Sequence, residues 1–194
     1  MARKKNFDPE HVLQLAVNIF WEKGYADTSL TDLTTHLGIN KFSLYSTFGD
    51  KKTLYLKALA YYIDNQSIPA LARLNEPDAG LIELEIYINN FIELQSHQTS
   101  GCFVQNAILE LSLSDEKVRT EGSRLYSYIL DSFQKVLTNA QRQGQIRNKE
   151  DVEVISHFLL LQLQGIRVLG KAKQYAVIRS SALVIFEYLS KLRY

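Results

Sequence analysis

"LGINKFSLYSTFGDKKTLY", residues 37–55, sets Phe42, Ser43, Tyr45, Ser46 and Thr47 between two turn signals, Gly38 and Gly49, with Lys41 as the one charge among them. An ordinary surface helix would carry Glu, Lys and Gln there. Hydroxyls and aromatic rings in their place describe a face shaped to meet something. On a helical wheel of about 100° per residue, Leu44 and Phe48 fall about 40° apart and form the buried side. Phe42 and Ser46 then lie opposite, flanked by Ser43 and Tyr45.

The preceding segment, "TSLTDLTTHLG" (28–38), repeats the grammar in miniature. Thr28 or Ser29 caps, Leu30, Leu33 and Leu37 form one stripe, and Gly38 stops the helix. Helices over 29–37 and 41–48, joined by a short Gly-Ile-Asn turn, make a helix-turn-helix, whose second helix enters the major groove of DNA. Ser and Thr hydroxyls and the Tyr phenol donate to phosphate oxygens, while a Phe ring or Thr methyl touches thymine methyl groups. Spacing alone leaves an alternative open: a short packed helix in an all-α domain, with Phe42 and Tyr45 partly buried.

Outward from this motif the chain reads as helix throughout. Asp8 and Pro9 open a first helix whose Val12, Ala16, Ile19 and Phe20 recur at helical spacing up to Gly24. Asp50 caps a fourth helix from Lys51 towards Leu74. Beyond "NEPDAG" (75–80) the spacing predicts longer, more apolar helices near 81–97, 102–113, 115–143, 149–170 and 174–192. The expectation is an all-α protein of about nine helices. It divides into a helix-turn-helix unit at 1–52, linked through the fourth helix (about 51–74), and a larger bundle at 53–194.

Composition bounds the function. Of 194 residues, 46% are hydrophobic and 22% charged, which suits a globular chain with a sizeable core. With 22 basic and 21 acidic residues, net charge selects no class of partner. One cysteine excludes an intramolecular disulfide framework and suits a reducing cytosol. No apolar region follows the basic start, and no run reaches the roughly 18 apolar residues of a membrane span. A soluble, cytoplasmic protein is expected. His11, His36, His97 and His157 are scattered, and no nucleophile elbow, phosphate loop or paired metal-ligand spacing is present. Neither an enzyme, nor a metal site, nor a cofactor is expected.

Residues 9–59 resemble the DNA-binding domain of the TetR family of transcriptional regulators. The resemblance rests on "GYADTSLTDLTTHLGINKFSLYSTFGDKKTL": Gly24-Tyr25, Thr28-Ser29, Leu37-Gly38-Ile39, Ser43-Leu44-Tyr45, and Phe48 before Gly49-Asp50-Lys51. It implies that Thr28 or Ser29, Tyr45 and Lys51 hold phosphates, with Thr31, Lys41, Phe42, Ser46 and Thr47 near base edges and Ser43 among the contacts. Lys51 also opens a helix, where the dipole and free N–H groups favour an anion. One departure stands out: the family usually has a small residue after Lys41, where this chain has Phe42. The basic arm Arg3-Lys4-Lys5 is either a further DNA contact or a solvated tail.

The resemblance further implies that the C-terminal helices bind a small molecule and form a homodimer, and that the protein is a repressor released from a palindromic operator by that ligand. Ile178, Ala182, Ile185 and Leu189 recur at 4-3-4 spacing as a seam for a partner helix. Helix 149–170 carries two apolar stripes, one with Val152, Ile155, Leu159 and Ile166, the other with Val154, Phe158, Leu161 and Val168. Leu159, Leu163 and Ile166 are assigned with the seam to the dimer interface. Tyr62, Phe91, Cys102, Asn106, Phe158 and Gln162 are the candidate ligand-binding residues. Cys102 reads as a small buried hydrophobe or as an electrophile sensor. Two rival functions remain: a helical protein-interaction module without DNA binding, and a carrier or enzyme using Gln105, Asn106, Gln162 and Gln164.

Overall fold

The computed structural model describes residues 7–97 and 99–193, so the Arg3-Lys4-Lys5 arm lies outside the described residues. Among them the elements are α1 (Pro9–Lys23), α2 (Leu30–Leu37), α3 (Lys41–Phe48), α4 (Lys51–Tyr62), α5 (Leu81–His97), α6 (Phe103–Leu111), α7 (Glu116–Arg142), α8 (Val152–Lys171) and α9 (Tyr175–Leu192). The helices fall within a few residues of their expected spans, with one exception. The fourth was expected to continue to Leu74. Instead α4 loosens into a π-helical turn at Ile63–Ser67, followed by a 3-10 stretch at Pro69–Asn75. Pro69 has no N–H and its ring crowds the carbonyl four residues back, so an α-ladder cannot run through it.

The helices form two compact units. The first comprises Met1–Ser67 with Cys102–Gly122, the second Ile68–Gly101 with Ser123–Tyr194, and α7 starts in the first and continues in the second. The expected division at 52/53 falls inside the first packing unit. The packing unit runs on to Ser67 and takes in a second stretch of chain. A cluster of rings explains why. Tyr55 of α4 is fully buried and meets Phe20 at 4.9 Å, Tyr25 at 5.0 Å and Phe103 of α6 at 5.5 Å between centroids, each edge to face. Edge-to-face pairs of this kind add to the area they bury. Burial, and then the negative charges of Glu110 and Asp115, push the Tyr55 phenol well above its ordinary range.

In the second unit α5, α8 and α9 pack mutually. Gly170 is required at one crossing: a Cβ there would lie 2.6 Å from the Gln95 backbone oxygen, so only glycine lets α8 approach α5 so closely. Arg193 fastens the end of α9 by a two-pronged pair with Glu85 at 2.9 Å. Leu159, Leu163, Ile166, Ile178, Ala182, Ile185 and Leu189 are all buried within this single chain. The seam expected to meet a partner is therefore covered by the chain's own helices, because helical spacing defines a stripe without saying what covers it. The other α8 stripe is the open one: Val154, Leu161 and Val168 are exposed and Phe158 half-buried. Val177, Leu183 and Val184 on α9 are exposed as well. These two stripes give α8 the length and mean hydropathy of a membrane span, with a third of the helix window buried inside the fold.

Candidate nucleic-acid interface

Local chemistry shapes the motif. Ser29 caps α2 by accepting from the Asp32 N–H at 3.0 Å, while the Asp32 carboxylate accepts from the Ser29 N–H at 2.9 Å, a reciprocal capping box. Gly38 ends α2 at φ +63°, the left-handed region that favours glycine. Asn40 caps α3 by accepting from the Ser43 N–H at 2.8 Å, and Asp50 caps α4 by accepting from the Thr53 N–H at 2.6 Å. Leu33, Leu37, Ile39, Leu44 and Phe48 are buried, which fixes the opposite face of α3 outward.

That outer face carries Lys41, Phe42, Tyr45 and Ser46 in solvent, with Ser43 and Thr47 half-buried at its margins. Phe42 is 80% exposed, against the alternative of a packed helix in which both rings are partly buried, while Tyr45 at 41% is partly covered. Thr31 is exposed on α2. Lys51 opens α4 with its ammonium 4.4 Å above the Tyr25 ring and 3.5 Å from the Ala26 carbonyl oxygen, a posture that steadies the chain while leaving the charge in partial contact with solvent.

Thr28 requires a correction. It is 0% exposed and its hydroxyl donates to the Gly24 carbonyl oxygen at 2.6 Å, so it is a structural tie that cannot reach a phosphate. Ser29 remains exposed, but its hydroxyl donates to the Asp32 carboxylate at 2.6 Å. The Lys23 ammonium beside Asp32, together with Ser29, holds that carboxyl well below its usual range, and the Lys23–Asp32 pair at 2.7 Å offsets its charge.

Two contacts of this unit had no local sequence signal. Glu110 of α6 accepts from the Tyr25 N–H at 2.9 Å and the Ala26 N–H at 2.7 Å, gripping the turn between α1 and α2. Asp115, almost fully buried, pairs with Lys52 and accepts from the Lys117 N–H at 3.0 Å. Burial alone would push the Asp115 carboxyl up. The Lys52 ammonium and the amides of Lys117 and Val118 outweigh it and hold the group below its ordinary value.

The candidate ligand residues separate between the units. In the first, Tyr62 is buried edge to face against Trp21 at 5.0 Å and Phe103 at 5.7 Å, and its hydroxyl points at the Cys102 sulfur 4.0 Å away. Cys102 is buried and Asn106 half-buried. In the second, Phe91 stacks with Tyr87 at 6.4 Å, Phe158 meets Tyr188 at 5.2 Å, and Gln162 is half-buried. Sequence reasoning passed over Arg167, a buried guanidinium 5.2 Å from the Phe91 ring centre that donates to the Gln164 side chain at 3.2 Å. It also passed over Gln95, whose buried side-chain oxygen has no hydrogen-bond partner among the described residues.

Known proteins share this arrangement. Residues 12–58 match the family of bacterial regulatory proteins named for TetR, and residues 80–180 match the tetracyclin repressor-like C-terminal domain. An uncharacterized helix-turn-helix transcriptional regulator of Bacillus subtilis strain 168, YezE, is 30% identical over 162 residues, covering 82% of this chain and 84% of its own. The transcriptional repressor DhaR of Mycobacterium sp. strain GP1 is 25% identical over 80% of this chain and 78% of its own. A solved structure of the TetR-family transcriptional regulator CifR, a cysteine mutant complexed with 26-bp operator DNA, superposes with a TM-score of 0.80 at 24% identity over 100% of both chains. The chain belongs to the TetR family of bacterial regulatory proteins.

Proposed function

We propose that the protein is a cytoplasmic homodimeric repressor that grips an inverted-repeat operator through two copies of α3 and leaves it when a small molecule binds the C-terminal helices. The outer face of α3 carries this reading: one cation, two rings and three hydroxyls, with no acidic group from Lys41 to Thr47. Tyr45 and Lys51 hold phosphates and set the register, while Lys41, Phe42, Ser46, Thr47 and Thr31 approach base edges. DhaR bears the name of a repressor, and CifR has been solved on operator DNA, which supports extending both properties to this chain. No catalytic step belongs to this reading.

The second copy docks on the exposed apolar stripe of α8 and α9. Gly165 lies in that stripe between Leu161 and Val168, and a Cβ built on it meets no atom within 4 Å. A glycine facing open space amid apolar neighbours suits a close helix crossing with a partner. The test is selection of duplexes by the purified protein from a random pool. An enriched inverted repeat whose half-sites lie one helical turn or a multiple apart supports the reading. Failure of any sequence to enrich, at several salt concentrations, refutes it and favours an interaction module.

A further inference from the structure

On the proposed reading that α3 meets DNA, its residues also say which chemistry it reads. Direct readout of guanine uses a bidentate Arg or Lys, adenine a bidentate Asn or Gln, and cytosine an accepting carboxylate. From Lys41 to Thr47 there is no Arg, Asn, Gln, Asp or Glu. Asn40, just before the helix, already accepts from the Ser43 N–H at 2.8 Å. The Ser46 hydroxyl is partly engaged too, donating to the Ser43 carbonyl oxygen at 3.2 Å. Lys41 is the one side chain from Lys41 to Thr47 able to read guanine, and the remaining hydroxyls are single-point contacts.

Against that background Phe42 is the largest unshared surface on the face. Its ring is 80% exposed in the first turn of α3, the end of a recognition helix that approaches base edges. An exposed ring alone is unremarkable on a protein surface. Here it stands on the helix face opposite Leu44 and Phe48, at the position where a matching major-groove feature must also be apolar. The thymine C5-methyl is that feature.

We propose that Phe42 is a specificity-determining residue that recognises thymine through its C5-methyl group, so that operator choice in this protein rests on methyl contact more than on bidentate hydrogen bonding. Removing one buried methyl from such a contact weakens binding about fourfold, and the same change in both half-sites about fifteenfold.

The experiment uses the full chain and the best duplex enriched from a random pool, with each thymine of the half-site replaced in turn by deoxyuridine. That replacement deletes the methyl and keeps every base-pairing hydrogen bond. The wild type should lose about fourfold at one or two positions per half-site. Phe42→Ala should bind the parent duplex more weakly and be indifferent to uridine at those same positions. Phe42→Leu, which keeps an apolar contact, should retain part of the uridine penalty. Lys51→Ala should lose affinity yet keep the penalty in full. A wild type insensitive to uridine at all positions, or a penalty unchanged in Phe42→Ala, overturns the inference while leaving DNA binding intact. Failure to enrich any duplex overturns the DNA-binding reading and this inference with it.

Discussion

Replacing Leu161 by Asp distinguishes an interface from a core stripe on the same helix. Leu161 is 68% exposed in the single chain, so the change asks little of the monomer. About two-thirds of the roughly 1.5–3 kcal/mol of full leucine burial is therefore still to be gained on association, about 1–2 kcal/mol per subunit and about 2–4 kcal/mol per dimer. Losing that alone raises the dimer dissociation constant about 30- to 700-fold. A carboxylate forced into the contact adds to the penalty. Ile185→Asp is the opposed case. Ile185 is 2% exposed, and a carboxylate there costs several kcal/mol of a total stability that is about 5–15 kcal/mol in domains of this kind. Sedimentation read beside circular dichroism separates the two: Leu161→Asp should be helical and monomeric, Ile185→Asp should have lost cooperative folding. A Leu161→Asp protein that sediments as a dimer at the wild-type concentration refutes the assignment. So does a folded, monomeric Ile185→Asp, which would return the interface to the seam on α9.

Three further outcomes follow from the first unit. Lys51→Ala should weaken binding to every duplex and flatten the dependence of log affinity on log salt by about one unit per subunit, whereas an unchanged slope in titrations at several salt concentrations removes Lys51 from the phosphate contacts. Glu110→Ala frees the Tyr25 and Ala26 amides, so hydrogen exchange there should accelerate and stability fall by about 1 kcal/mol, discounted because the site is exposed to solvent; protection that persists would show the turn to be held by other contacts. Asp115 has a folded-state pKa below its ordinary 3.8, so its charged contribution is complete above the carboxylate range and declines as pH falls through the lower, folded value. The gap in urea midpoint between wild type and Asp115→Asn should accordingly narrow between about pH 7 and about pH 3, and a gap constant over that range would exclude the linkage.

Legibility from sequence tracked the range of the physics. The caps of α1 to α4 are local events, and Asp8, Gly38, Gly49 and Asp50 stand where their chemistry requires. At Thr28 and Ser29 the same rule met two adequate caps. The structure chose Ser29 and turned the buried Thr28 hydroxyl back to the Gly24 carbonyl oxygen four residues earlier. The α8 and α9 seams were legible as stripes, but their covering is a property of neighbours. Spacing alone assigns the buried stripe to a partner and marks the exposed set of Val154, Leu161 and Val168 only as a second stripe. Phe103 against Tyr55, Glu110 on the Tyr25 amide and Asp115 with Lys52 join distant stretches through contacts that have no periodicity, so nothing in a local window announces them.

The discontinuity of the first unit bears on how such regulators can be recombined. A hybrid cut after residue 52 would set a foreign leading segment against a resident Tyr55, Glu110 and Asp115, which in this chain meet the Phe20 and Tyr25 rings, the Tyr25 and Ala26 amides and Lys52. A graft that respects the packing must carry two inserts, one ending near Ser67 and one spanning Cys102–Gly122. The recognition helix is thus poorly portable as a cassette, although its outward side chains are free of the core. On the proposed reading of α3, retargeting in this scaffold is better served by point changes at the exposed Phe42 and Ser46 than by exchange of a whole leading segment.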